Sequence, residues 1–160
     1  MTACAAVLTG CVRSPRSAPL AHAQPSAEAL AETVLDAVAR RDVVGLRALA
    51  LSEEEFRAYA WPGLPASRPE RNLPFSYVWG DLHQKSEASL QMTLARGAGG
   101  VTLVAVHFAG GETQYPGYAV HRDTTLTVRD ATGDTRDVRL FGASFEQDGA
   151  WKVFSYVVDD

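Results

Sequence analysis

The chain changes its hydrophobic period once. From residue 26 to about residue 96 the apolar side chains recur at intervals of three and four. From residue 101 onward they alternate or run together between glycine-bearing turns. The first spacing is that of one helix face and the second that of strands. Helices followed by a run of strands predict an α+β domain in two layers, with N-terminal helices and one long helix packed on a four-stranded antiparallel sheet.

Boundary signals divide the helical half. Ser26 is suited to cap a helix running to about Arg41, with Glu28 and Glu32 near its start and Arg40 and Arg41 at its end, where the helix dipole favours them. Leu30, Val34, Leu35 and Val38 form its apolar stripe. Asp42 is placed to cap a second short helix carrying Val43, Leu46 and Leu49. Ser52 and Glu55 have the capping-box spacing for a third, with Phe56 and Tyr59 as its apolar contacts. The stretch WPGLPASRPERNLP then carries four prolines and predicts a loop. Pro74 opens a long helix over roughly 74–96, with Phe75, Val78, Trp79, Leu82, Leu90 and Leu94 close to one face, and Gly97, Gly99 and Gly100 end it.

The strand half reads as 101–109, 118–130, 135–146 and a last strand in AWKVFSYVVD. VTLVAVHFA is apolar on both faces, as expected of a strand covered on both sides. Asp148-Gly149 signals a tight hairpin that pairs Phe145 with Lys152 and Phe141 with Tyr156. Phe141, Phe145, Phe154 and Tyr156 then share an aromatic face for the helices. Leu140, Trp151, Val153 and Val157 share the other, which is apolar enough to need a second layer or a partner.

The N-terminus bears on compartment. Residues 1–11, MTACAAVLTGC, are uncharged and mostly small or apolar, and a Pro-, Ser- and Ala-rich stretch follows. Leu8-Thr9-Gly10-Cys11 resembles the lipobox of bacterial lipoproteins. That resemblance implies a signal remnant over 1–10, a lipid on Cys11, a flexible tether over 11–25 and a single domain over 26–160. It implies an extracytoplasmic, lipid-anchored location in the bacterial envelope; the alternative, an incidental N-terminal tail, would leave the domain cytoplasmic. Cys4 and Cys11 are the cysteines of the chain, so residues 12–160 can hold no disulfide, thiol nucleophile or thiolate metal site. No apolar stretch approaches membrane-spanning length.

The order of elements, closing in FEQDGAWKVFSYVVD, is similar to the nuclear-transport-factor-2-like or cystatin-like superfamily. The resemblance implies a curved sheet that forms a cone with the helices. In that superfamily the cone holds a small molecule, serves as an isomerase, dehydratase or cyclase site, or leaves its sheet to dimerise. Fold alone does not choose among these.

Few residues could carry chemistry. If the connecting loop centres on Gln114, His107 and His121 oppose each other as a two-imidazole site able to shuttle a proton or start a metal site; a slip of one residue puts them on opposite faces, as strand-end histidines at the sheet rim. Further ligands are lacking, so no metal and no cofactor is expected. Tyr77 and Asp81 could line the cone as donor or base; their spacing of four, with Lys85, is also that of a solvated helix face. Asp123 beside Arg122 reads as a salt-bridge strand at the surface. Trp61, in the Pro-rich loop, is a candidate lid or partner contact, as is Trp151. A formal net charge of −4 argues against nucleic acid. The expected function is non-catalytic binding of a small apolar ligand or an envelope protein. The alternatives are a small-molecule isomerase or dehydratase and a sheet-mediated homodimer.

Overall fold

The computed structural model describes residues 19–158. Cys11, its proposed lipid and the expected tether up to Ala18 lie outside the described residues, whereas Ala21 and Gln24, within the expected tether, are bound to the domain through Glu55, Lys152 and Trp151. The fold is α+β, with four helices and two antiparallel sheets.

The caps form where their spacing predicts. Ser26 Oγ accepts from the Ala29 amide at 3.1 Å and starts α1, Ala27–Ala39. The Asp42 carboxylate accepts from the Gly45 amide at 2.8 Å and starts α2, Val43–Leu49. The Asp42 carboxylate fills the space beside Gly45, where a Cβ would lie 2.4 Å from one of its oxygens. Ser52 and Glu55 close a full capping box on α3, Glu53–Glu55. The chain then widens into a π turn, Phe56–Ala60, and tightens into three 3₁₀ turns, Trp61–Gly63, Pro65–Ser67 and Pro69–Arg71. The expected loop is therefore a string of single turns, each with proline in its first two positions, where the missing N–H costs nothing. α4 spans Phe75–Arg96 and ends at Gly97, whose φ is +72°.

The strands differ more from expectation. Seven strands replace four: β1 Thr102–Phe108, β2 Glu112–Tyr115, β3 Tyr118–Arg122, β4 Thr124–Arg129, β5 Thr135–Val138, β6 Ala143–Gln147 and β7 Ala150–Ser155. They order as β1-β4-β5 and β2-β3-β6-β7. The up-and-down sequence survives, but its three leading ribbons each bend. The bends fall at Gly110-Gly111, at Asp123 with φ +55°, and at Gly142. Backbone bonds bridge the break, from the Ala109 amide to the Asp123 carbonyl at 3.1 Å and from the Thr124 amide to the Gly142 carbonyl at 3.0 Å.

Two pairings are corrected. The β2–β3 hairpin turns on Pro116-Gly117 rather than Gln114, with Gly117 at φ +86°, as a type II turn requires. His121 therefore faces Glu112, and His107 faces Thr125 across β1–β4. The Asp148-Gly149 hairpin pairs Phe145 with Lys152 as expected, both turn residues having positive φ. A register shift between Ala143 and Ser144 inserts an extra residue in β7 and turns Tyr156 to the other face, and Phe141, beyond the Gly142 bend, lies there too. They join Leu140 and Val153 in the main core under α1, α2 and the second half of α4. Phe145 and Phe154 pack in a second core with Phe56, Tyr118, Trp61 and Trp79.

The four-stranded sheet is thus covered on both faces, and the first four residues of β3 are all buried. The three-stranded sheet is covered on one. β1, expected to be covered on both faces, leaves Thr102, Val104 and His107 exposed on its outer side. Helix α1 supplies the second layer demanded by the Trp151–Val153 face.

Candidate functional site

The bends create the site. Where the ribbons turn, the sheet recedes from the Pro-rich turns and leaves a cleft of about 300 Å³. Val120, Ala143 and Phe154 form its floor, and Leu64, Tyr115 and Val157 close the sides. Alternation explains the floor, since Val120 pairs with Phe145 and therefore shares its inward face. Arg122 and Asp123 lie at the bend itself and supply the charged rim. Asp123 is drawn to Arg139 at 3.4 Å, and the exposed Arg122 side chain has no hydrogen-bond or ion-pair partner among the described residues. Gly142 keeps the passage open for the C-terminal segment, because a Cβ there would lie 1.7 Å from the Val157 carbonyl oxygen.

The wall behind the cleft is closely packed. The Tyr118 hydroxyl donates to the Ala60 carbonyl at 2.7 Å, and its ring stacks between Tyr115 and Phe145 with centroids 4.8 and 5.0 Å away. A Cβ on Gly63 would meet the Tyr118 ring at 2.8 Å, so the turn rests directly on the sheet. Burial holds the Tyr118 phenol well above the usual tyrosine range. A neutral phenol donating to a carbonyl is a fixed structural bond rather than a proton carrier.

The candidate residues from sequence do not converge here. Tyr77 is 65% exposed, and Asp81 pairs with Lys85 at 2.8 Å on the outer face of α4. Their helical spacing reflects a solvated ladder, so neither lines the cleft. His107 is exposed on β1, and the two-imidazole site is not assembled.

His121 is buried under two rings, with Trp151 and Phe108 centroids at 4.6 and 4.8 Å. Its Nε2 lies 2.8 Å from Glu146 and its Nδ1 lies 3.7 Å from Glu112. Both nitrogens face carboxylates, which fixes the ring as a tie between three strands. Trp151 completes that stack, and its backbone pairs with Gln24. Trp61 is half-buried and meets Phe75 edge-on at 5.5 Å, so the turn it opens is packed down and offers Leu64 to the cleft. No cluster of three or more metal-ligating side chains occurs among the described residues.

A narrower cavity of about 180 Å³ lies between α2 and α4, bordered by Trp79, His83 and Tyr156. Arg47 bridges it, gripping Glu87 with two guanidinium nitrogens. That grip holds the Glu87 carboxyl below its ordinary range.

A third polar constellation was not anticipated. Lys152, 2% exposed, donates to Glu55 and to the Ala21 carbonyl, each at 2.7 Å. Glu55 also accepts from the amides of Ala21 and Ser52 at 2.8 and 2.9 Å. The capping carboxylate therefore ties the N-terminal segment, α3 and β7 together.

Comparison with protein-family models, with curated proteins and with solved structures finds no match for this chain.

Proposed function

We propose that the domain binds a small molecule with an apolar body and one anionic end in the cleft at the sheet bend. The observation that carries this is the pairing of an apolar floor with the unpartnered Arg122 guanidinium at the rim. A cavity of about 150 Å³ holds benzene. At about 300 Å³ this cleft suits a body of roughly two fused rings or a short alkyl chain. Guanidinium favours carboxylate or sulfonate as the polar end.

The kinked meander with helices over its inner face supports assigning the domain to the nuclear-transport-factor-2-like group. The lipobox-like Leu8–Cys11 supports placing it on a tether at the bacterial envelope, held by a lipid on Cys11. The domain would then receive its ligand outside the cytoplasm. Palmitate labelling that disappears with Cys11→Ala supports the anchor, and label absent from both forms refutes it.

The binding test uses 2-naphthoate as probe, followed by amide shifts in the full chain. Saturable shifts at Val120 and Ala143 are expected. Arg122→Gln should weaken binding about ten-fold, the usual loss for one charged hydrogen bond. Ala143→Phe should abolish binding by filling the floor. A response that neither substitution alters refutes the cleft as the binding site.

A further inference from the structure

We propose a second site, at the C-terminal end of α4, that binds a phosphate group. A cavity of about 380 Å³ opens there between the Gly97–Gly99 turn and β5. Three guanidinium-bearing side chains line it, Arg96 from the helix and Arg136 and Arg139 from β5 and the residue after it, and no carboxylate does. This is a local concentration of positive charge on a chain of net charge −4.

Arg139 leans toward Asp123 at 3.4 Å, but the side chains of Arg96 and Arg136 have no hydrogen-bond or ion-pair partner among the described residues. A cation at a helix C-terminus offsets the helix dipole, which accounts for Arg96 alone. It does not account for Arg136, which arrives from another element, while Arg139 is held by Asp123 at the edge of the cavity. Gly99 is a second, independent sign. Its φ is not positive, and a Cβ there would meet nothing within 4 Å, so neither backbone nor packing demands glycine. A glycine without steric need, on the wall of a cationic cavity, leaves room for a ligand to approach the backbone.

Phosphate fits better than a carboxylate. It carries close to two negative charges and three acceptor oxygens, which the Arg96 and Arg136 forks can share, with the charge of Arg139 nearby. The cavity exceeds a lone phosphate, so the group is the head of a larger molecule, either a soluble phosphate ester or an anionic phospholipid.

The test uses the full chain, with Arg96→Gln and Arg136→Gln as separate variants. Both side chains are exposed and unpartnered, so the fold is expected to persist, and amide spectra check that directly. Glycerol 3-phosphate is titrated while the Gly97, Gly99 and Arg136 amides are followed. Sedimentation with phosphatidylcholine vesicles, with and without phosphatidic acid, forms the other arm. Saturable shifts weakened about ten-fold by each variant support a soluble ester. Sedimentation that requires phosphatidic acid and is lost in both variants supports a lipid headgroup. Lack of response in both arms, or a response that both variants retain, overturns the site.

Discussion

Glu55→Gln tests whether the buried tie at Lys152 organises the fold. Lys152 and Glu55 are 2% and 11% exposed, so neither charge has water to fall back on. One Glu55 oxygen accepts from the Ala21 amide; the other accepts from Ser52 and from Lys152. A glutamine must turn its NH₂ toward one of these donors. Either orientation sets donor against donor and leaves the ammonium without an anion. Removing one partner of a buried pair costs about 3–5 kcal/mol. In a chain of this size that lowers the melting temperature by about 10 °C or more. Lys152→Met keeps the stem's packing and leaves Glu55 with its two backbone donors, so it should cost less, about 1–3 kcal/mol. The double variant should lose less than the two single losses combined, because the second change removes the orphan left by the first. Urea unfolding followed by tryptophan fluorescence measures all three. Strictly additive losses, or a Glu55→Gln loss below about 1 kcal/mol, would refute the tie.

Further outcomes follow from the cores and the bend. Phe145→Ala, at a fully buried position, should cost about 3–5 kcal/mol in the same unfolding assay. Gly142→Ala places a methyl against the Val157 carbonyl, so the C-terminal segment must move; loss of the Ser155–Val157 amide positions in the NMR spectrum reports it. Burial holds the Tyr156 phenol above its ordinary value, so the unfolded phenol ionises first. Stability from its neutral form is therefore full below about pH 10 and falls as pH rises further, by about 1.4 kcal/mol per unit, and Tyr156→Phe should flatten that alkaline decline. Glu87 is shifted the other way by the Arg47 hydrogen bonds, so its contribution is present above the ordinary carboxylate pKa and lost as pH falls through the depressed value; Glu87→Gln should remove that part of the acid sensitivity.

The helical half was legible because its signals are local. A cap needs one side chain and one amide three residues on, and Ser26, Asp42 and Ser52 each met that need. Strand register is set at long range, and there sequence reasoning slipped where one residue changes a face. Centring a loop on Gln114 joined His107 to His121, whereas Pro116-Gly117 is the better turn chemistry and separates them. Neither the register shift in β7 nor the bend at Gly142 shows in the alternation, and together they part Tyr156 and Phe141 from Phe145. The Lys152 tie did leave a trace. Pairing Phe145 with Lys152 already set a lone ammonium on an aromatic face, and such a group needs an anion brought from elsewhere. The capping box had marked Glu55 as a helix cap, which hid its second role. Arg122 was visible only as half of a surface pair, because its neighbour's attraction to Arg139 depends on the bend.

That bend links the fold to both proposed sites. Gly110, Asp123 and Gly142 fall on adjacent ribbons, and each is fitted to its neighbour. A Cβ on Gly110 would lie 2.2 Å from the Asp123 carboxylate, so the glycine admits the acid. Asp123 holds a left-handed backbone that few residues other than glycine, asparagine and aspartate adopt readily. Its side chain then reaches Arg139, a lining residue of the cationic cavity, while its own position edges the apolar cleft. The Asp123–Arg139 contact therefore stands between the two cavities. Asp123→Gly keeps the backbone freedom and removes the carboxylate. It should leave the fold intact and remove a negative charge that edges both cavities, tightening phosphate at the cationic cavity and naphthoate at the Arg122 rim. Parallel losses at both sites would instead mean that the carboxylate sets the bend itself, a result that unchanged strand amide spectra would contradict.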